Sequence, residues 1–152
     1  MRFWRICRER YAAEAAPGEG ARLFGGRWNN RGVRVVYASP SLALAAMETF
    51  VNLEPNLQPD DLVSIEGEIP DELQVVRLDV HVLPPNWHET RDESLRRFGD
   101  EWVRMGQTVD LLVPSAAILG ERNLLLNPAH KEFPQIRFEE PRPFRFDARM
   151  FR

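Results

Sequence analysis

The chain has 152 residues, a mass of 17.6 kDa, 43% hydrophobic and 10% aromatic residues and a formal charge of -3. That length predicts one domain (1-152) able to bury an apolar core without staples. A lone cysteine, Cys7, excludes an internal disulfide. No apolar run approaches the roughly 20 residues that span a bilayer, and the charged opening "MRFWRICRER" does not fit a secretory signal, so the expected location is cytoplasmic.

In chain order, "RFWRIC" (2-7) alternates as a strand and 8-16 as a short helix ending at Pro17-Gly18. Residues 17-32, with Gly18, Gly20, Gly25, Gly26 and Gly32, predict an irregular loop. "VRVVYAS" (33-39) is β-branched and aromatic, a buried strand. The next segment, "SPSLALAAMETFVN", has Ser39 as a possible N-cap and Pro40 at the first helical position. "LVSIEGEI" (62-69) and "LQVVRLDV" (73-80) predict a β-hairpin, and 90-106 a polar amphipathic helix. "DLLVPSAAI" (110-118) predicts a buried strand interrupted by Pro114, "NLLLN" (123-127) another, and 135-146 one or two more. Strands outnumber helices without a βαβ rhythm, so the expected class is α+β with a mixed sheet core.

Charge is uneven. Eight arginines face three glutamates within residues 1-34, whereas the remainder is acidic. A positive lobe on an acidic body suits a small anion better than a long polyanion, whose affinity rests on many phosphate contacts. Arginine supplies all the basic residues but Lys131. A coding bias explains that, and so does a pyrophosphate ligand, which the planar fork suits.

Four positions could carry chemistry. Glu48 is the single charge in "LALAAMETFV" (42-51), so it has a buried partner, a task, or the exposed stripe shared by Ser41, Ala45 and Asn52. Arg27 follows two glycines that let a backbone approach a ligand, and Trp28 beside it could exclude water. It either holds an anion or neutralises a nearby carboxylate. Tyr37 sits before the Glu48 helix, a place for core packing or for a ring near the helix start. Ser115 follows Pro114, where its hydroxyl points into a cleft or caps the turn. Cys7 reads as a small buried hydrophobe. His81, His88 and His130 are scattered without ligand spacing, so no metal is expected. No phosphate-binding loop, dinucleotide fingerprint or G-x-S-x-G elbow occurs.

With those residues in view, the sequence resembles the RES-domain family, toxins of bacterial RES-Xre toxin-antitoxin modules named for an arginine, a glutamate and a serine. The matching stretches are "RICRERY", "GGRWNNRGVRVVYASPSLALAAMETFV" and "LLVPSAAILGERNLLLNPAHKEF", and Arg27, Glu48 and Ser115 fall on the name-giving positions. Residues 81-109 match least. The resemblance implies a fold similar to ADP-ribosyltransferase toxins such as diphtheria toxin, with NAD as substrate and no metal. It also implies a Xre-family antitoxin blocking the active site within an oligomeric complex.

It further implies rupture of the nicotinamide-ribose bond by hydrolysis or phosphorolysis, or transfer of ADP-ribose to a protein. Glu48 would stabilise an oxocarbenium-like ribose, Arg27 would hold phosphate or ribose, and Tyr37 would stack on nicotinamide. Ser115 would bond substrate or orient Glu48, with Asn127 a further contact. The competing readings are a specific protein ADP-ribosyltransferase, a binding module that has lost its chemistry, and a nucleic-acid binder, disfavoured by net charge and the absence of a motif.

Overall fold

The computed structural model describes residues 1-89 and 92-152. Two antiparallel sheets form the frame. In the first, β1 (Arg2–Arg8) pairs along its whole length with β3 (Leu62–Glu68). The other edge of β3 takes both β6 (Arg137–Phe138) and β7 (Arg142–Phe144). In the second, β5 (Arg122–Leu126) lies between β2 (Val36–Ala38) and β4 (Asp110–Pro114). The sheets meet where Trp4 and Ser39 exchange backbone hydrogen bonds of 2.8 and 2.9 Å.

The period of two in β4 and β5 divides the core. Leu112, Leu124 and Leu126 point between the sheets, with Phe3, Val36 and Ile69. Leu111, Val113 and Leu125 point to the far side, under Trp28, Leu78 and Leu95. A strand buried on both faces reads as a continuous apolar run, which is why "NLLL" and "DLLV" are so plain in sequence.

Among the described residues three α-helices complete the fold: α1 (Glu19–Phe24), α2 (Leu42–Phe50) and α3 (Glu93–Met105). Helix α3 is capped by Asp92, which accepts from Ser94 N–H, and ends on Gly106 in the left-handed region. Of the predicted 90-106 helix, Glu93–Met105 is helical, and its first two positions lie outside the described residues.

Several expectations are corrected. The predicted loop 17-32 contains α1, and 8-16 is a 3₁₀ turn at Glu9–Glu14. Ser41, not Ser39, caps α2, its Oγ accepting from Leu44 N–H at 3.1 Å, and Pro40 precedes the cap. The 62-69/73-80 hairpin does not form, because β1 fills one edge of β3 while β6 and β7 fill the other. Residues 69-78 instead cross to the second sheet, where Val76 and Leu78 bond Leu112 and Arg77 forms a parallel bridge. That bridge aside, the described ladders are antiparallel, so the sheets are not mixed.

Candidate active site

A cleft of about 890 Å³ opens between β1, the glycine loop after α1, β2, α2 and the start of β5. Arg5, Arg27, Tyr37, Ser39, Glu48 and Asn123 all line it.

The loop wall is a rigid piece. Gly25, at φ +70°, ends α1 in a conformation that favours glycine. A Cβ on Gly26 would sit 2.6 Å from Tyr37 Oη, so the glycine leaves room for that hydroxyl rather than for a ligand. Tyr37 Oη donates to Asn29 Oδ1 at 2.7 Å and accepts from Trp28 N–H at 3.0 Å. Asn29 is fully buried, and its Nδ2 donates to the carbonyls of Ala21, Asn30 and Val33 at 2.9, 3.0 and 3.0 Å. Outside, Asn30 bonds both carboxylate oxygens of Asp100 on α3. Trp28 is 3% exposed and packs edge-on to Phe98, so it belongs to the core and is not a flap over the site. From this frame Arg27 reaches the cleft and donates to the Trp87 carbonyl at 3.0 Å.

Arg5 enters from β1. Its Nη1 donates to the Tyr37 carbonyl at 2.8 Å, while its Nε is buried with no partner among the described residues. Burial pushes its guanidinium below the ordinary arginine value, so an anion in the cleft would relieve a desolvated charge. Cys7, two residues along the strand, is half-buried on the same wall rather than in the core; burial pushes its thiol up and Arg5 pulls it back.

Glu48, half-buried on α2, lines the same cleft. The helix is fixed at its end by an aromatic cluster, Phe50 lying 5.7 Å from Phe146 and 5.5 Å from Phe151. Glu48 Oε1 accepts from Ser115 Oγ at 2.6 Å and from Asn123 Nδ2. Among the described residues Oε2 has no hydrogen-bond partner. Ser115 itself is fully buried and lies behind Glu48, off the cleft surface. Asn127 is placed elsewhere: its Nδ2 donates to the Val103 carbonyl at 3.2 Å and its Oδ1 accepts from Ala129 N–H at 3.0 Å, so it ties the turn after β5 to α3 and does not reach the cleft.

Of the residues singled out for chemistry in the sequence, Arg27, Tyr37 and Glu48 line the cleft, Ser115 lies behind Glu48 and Asn127 is elsewhere, while Arg5, Ser39 and Asn123 line it without having been so singled out. Asn123 had a signal, a polar residue in a strand whose next three are apolar and buried; Arg5 had none locally. Among the described residues no three His, Cys, Asp or Glu side chains are placed to hold a metal, and no helix is long and apolar enough to cross a membrane. His88 lines the cleft, and His130 is buried with Nδ1 accepting from Glu132 N–H.

A carboxylate with one oxygen held by two donors, in a cleft that two guanidinium groups also line, suits a small molecule that carries both an anionic group and a centre becoming positive. The class is an α+β domain of two antiparallel sheets with such a cleft between them. The RES domain matches residues 2–147, and the chain belongs to the RES-domain family. It is 39% identical over 156 aligned residues to "Prs ADP-ribosylating toxin" of Sphingobium sp. (strain YBL2), covering 99% of this chain and 96% of that one. It is 34% identical to "Toxin Res" of Yersinia enterocolitica serotype O:8 / biotype 1B, covering 99% of each. The crystal structure of the M. tuberculosis MbcT-MbcA toxin-antitoxin complex contains a chain of the same fold, with a TM-score of 0.66 at 17% identity over 95% of this chain and 84% of that one.

Proposed function

We propose that this chain is the toxin of a toxin-antitoxin pair and consumes NAD by breaking its nicotinamide-ribose bond in an ADP-ribosyltransferase-like cleft. The observation that carries the reading is Glu48, held through Oε1 by Ser115 and Asn123 in the cleft that Arg5 and Arg27 also line.

The leaving nicotinamide is already cationic, so it departs neutral, taking the electron pair of the C–N bond, and needs no general acid. Positive charge gathers on the ribose carbon and its ring oxygen, as in glycoside cleavage. Glu48 Oε2 stabilises that charge and bonds ribose hydroxyls. Arg27 and Arg5 hold the diphosphate by charge-assisted hydrogen bonds. The Tyr37 ring lies against the pyridinium, a contact of about 0.5 to 2 kcal/mol. Water or phosphate then bonds to the ribose carbon on its open face, and a proton leaves the incoming oxygen. NAD loss arrests growth in the cytoplasm until a Xre-family antitoxin covers the cleft within an oligomeric complex.

A second reading is favoured by the name of the 39%-identical relative: the acceptor is a side chain of a specific protein, which becomes ADP-ribosylated. Incubation of NAD labelled in its adenylate half with the pure protein and with a cell lysate separates the two. Free products, changing when phosphate is added, support degradation; label on one protein band supports transfer. Glu48→Gln should abolish either outcome, and a variant that used NAD at the parent rate would remove Glu48 from the reaction.

A further inference from the structure

We propose that Asn123, aimed by Ser39, is a positioning residue that shares Glu48 Oε1 with Ser115 and so turns Oε2 toward the reacting ribose. This rests on the NAD-cleaving reading, since it concerns how that carboxylate is delivered.

Each hydrogen bond in the group has only one workable direction. Glu48 as a carboxylate can only accept, so Asn123 must present its amide NH₂ to Oε1. Its Oδ1 then faces Ser39, whose hydroxyl donates at 2.8 Å. Ser39 cannot drift, because it is 3% exposed and both its backbone groups bond Trp4 across the sheet junction. On the other side, Ser115 Oγ accepts from Ile118 N–H at 3.0 Å, which leaves its single proton for Glu48. The two donors come from neighbouring strands: Asn123 lies in β5 opposite Val113, and Ser115 directly follows Pro114 at the end of β4. One rigid hairpin therefore grips one oxygen of a flexible side chain. With Oε1 held by two charge-assisted bonds, the direction of Oε2 is set by the sheet and not by the helix that carries Glu48.

Asn123 and Ser39 also line the cleft, so a direct contact with substrate is the rival role. Kinetics separate them. A positioning residue acts on the transition state, so Asn123→Ala should lower kcat about 100-fold with KM for NAD little changed, the size expected when a reacting group is misplaced by about 1 Å. Ser39→Ala should give a smaller loss of the same kind. The double variant Ser115→Ala/Asn123→Ala should fall short of the product of the single losses, since both act through one atom. A rise in KM with kcat intact would make Asn123 a substrate ligand and overturn the proposal, as would parent kinetics.

A second readout does not use NAD at all. Asn123→Asp puts a carboxylate against Glu48 and should lower Tm. Adding Glu48→Gln restores a donor-acceptor pair and should recover most of that Tm while leaving activity absent. No recovery overturns the pairing. If the parent protein itself leaves NAD intact in every assay, the enzymatic reading falls, and the thermal cycle still decides whether Asn123 holds residue 48.

Discussion

The two walls of the cleft are built in opposite ways. The glycine loop is braced within itself by bonds spanning 4, 8 and 9 residues, from Asn29 to Val33 and Ala21 and from Trp28 to Tyr37, and is then docked on α3 by two bonds from Asn30 to Asp100. The Glu48 wall is tied by bonds spanning 67, 75 and 84 residues, which join α2 to the ends of β4 and β5 and those to Ser39. The first wall carries its own internal bracing and is docked as a piece on α3; the second has no internal bracing and exists only once both sheets have formed. Damage to the loop should therefore register mainly in stability and ligand affinity, whereas damage at Glu48 should register in turnover with the fold intact.

The largest effect expected is on chemistry. Glu48→Gln keeps volume and two hydrogen-bonding termini but removes the charge, and a preorganised group of this kind is worth about 3 to 4 kcal/mol, or at least about 100-fold in kcat. NAD consumption and Tm measured on the same sample should show the first lost and the second nearly unchanged; a Tm fall like that of a loop variant would erase the contrast. Next is Arg5→Met, which removes a buried cation from the cleft. Loss of a charged hydrogen bond of about 1.5 to 3 kcal/mol should weaken NAD binding tenfold to 100-fold by calorimetry, and unchanged affinity would exclude Arg5 from phosphate binding. Third is Gly99→Ala on α3, where a Cβ would lie 1.7 Å from the Trp28 carbonyl oxygen. Overpacking of that kind costs about 1 to 3 kcal/mol, so calorimetry should show Tm falling by several degrees, with KM rising more than kcat falls because Arg27 rides on the displaced loop. A variant melting with the parent would mean the loop is not pinned to α3.

What the sequence disclosed follows the same division. The glycines of 17-32 mark a break in regular structure but hide α1 within it, whereas α2, α3, β1 and β3 each carry their own periodicity or cap. Glu48 stood out as a lone charge on an apolar helix, though not which of its faces met the cleft. Asn123 and Asn127 lie four residues apart in one motif, and only the strand end between them decides that the first faces Glu48 and the second faces α3. Ser39 reads locally as a helix cap, yet Ser41 takes that role and Ser39 is spent on the sheet junction. Arg5 looks like any alternating strand position until β1 is set beside β2 at the Trp4–Ser39 bridge. The failed hairpin has the same origin, since whether residues 73-80 can pair with β3 depends on strands contributed by the last twenty residues of the chain. Long-range pairing, not local propensity, held back the partners of Glu48.

The smallest effect expected tests both walls from outside. Asp110 opens β4 away from the cleft; it is fully buried, its Oδ1 accepts from Val76 N–H at 3.0 Å, and its Oδ2 is buried with no partner among the described residues. Burial pushes its carboxyl above the ordinary value, Glu132 adds to that, and the Val76 N–H, His130 and the amino terminus oppose it. A raised native pKa means that the folded chain keeps this proton over a range where the unfolded chain, near 3.9, has lost it. The folded state then binds more protons, so this group's contribution to stability falls as pH rises through that window and is fully unfavourable above the native pKa. Asp110→Asn removes the titration while keeping the shape. Its Tm should exceed the parent's at neutral pH, and the gap should close in acid as the parent's carboxyl takes up its proton. Melting curves from pH 4 to 8 measure this. Parallel curves would mean that Asp110 is not the desolvated group the fold makes it. A change in NAD turnover beyond the Tm shift would mean that the cleft is coupled to the far end of β4, and that its walls are less independent than their bonds indicate.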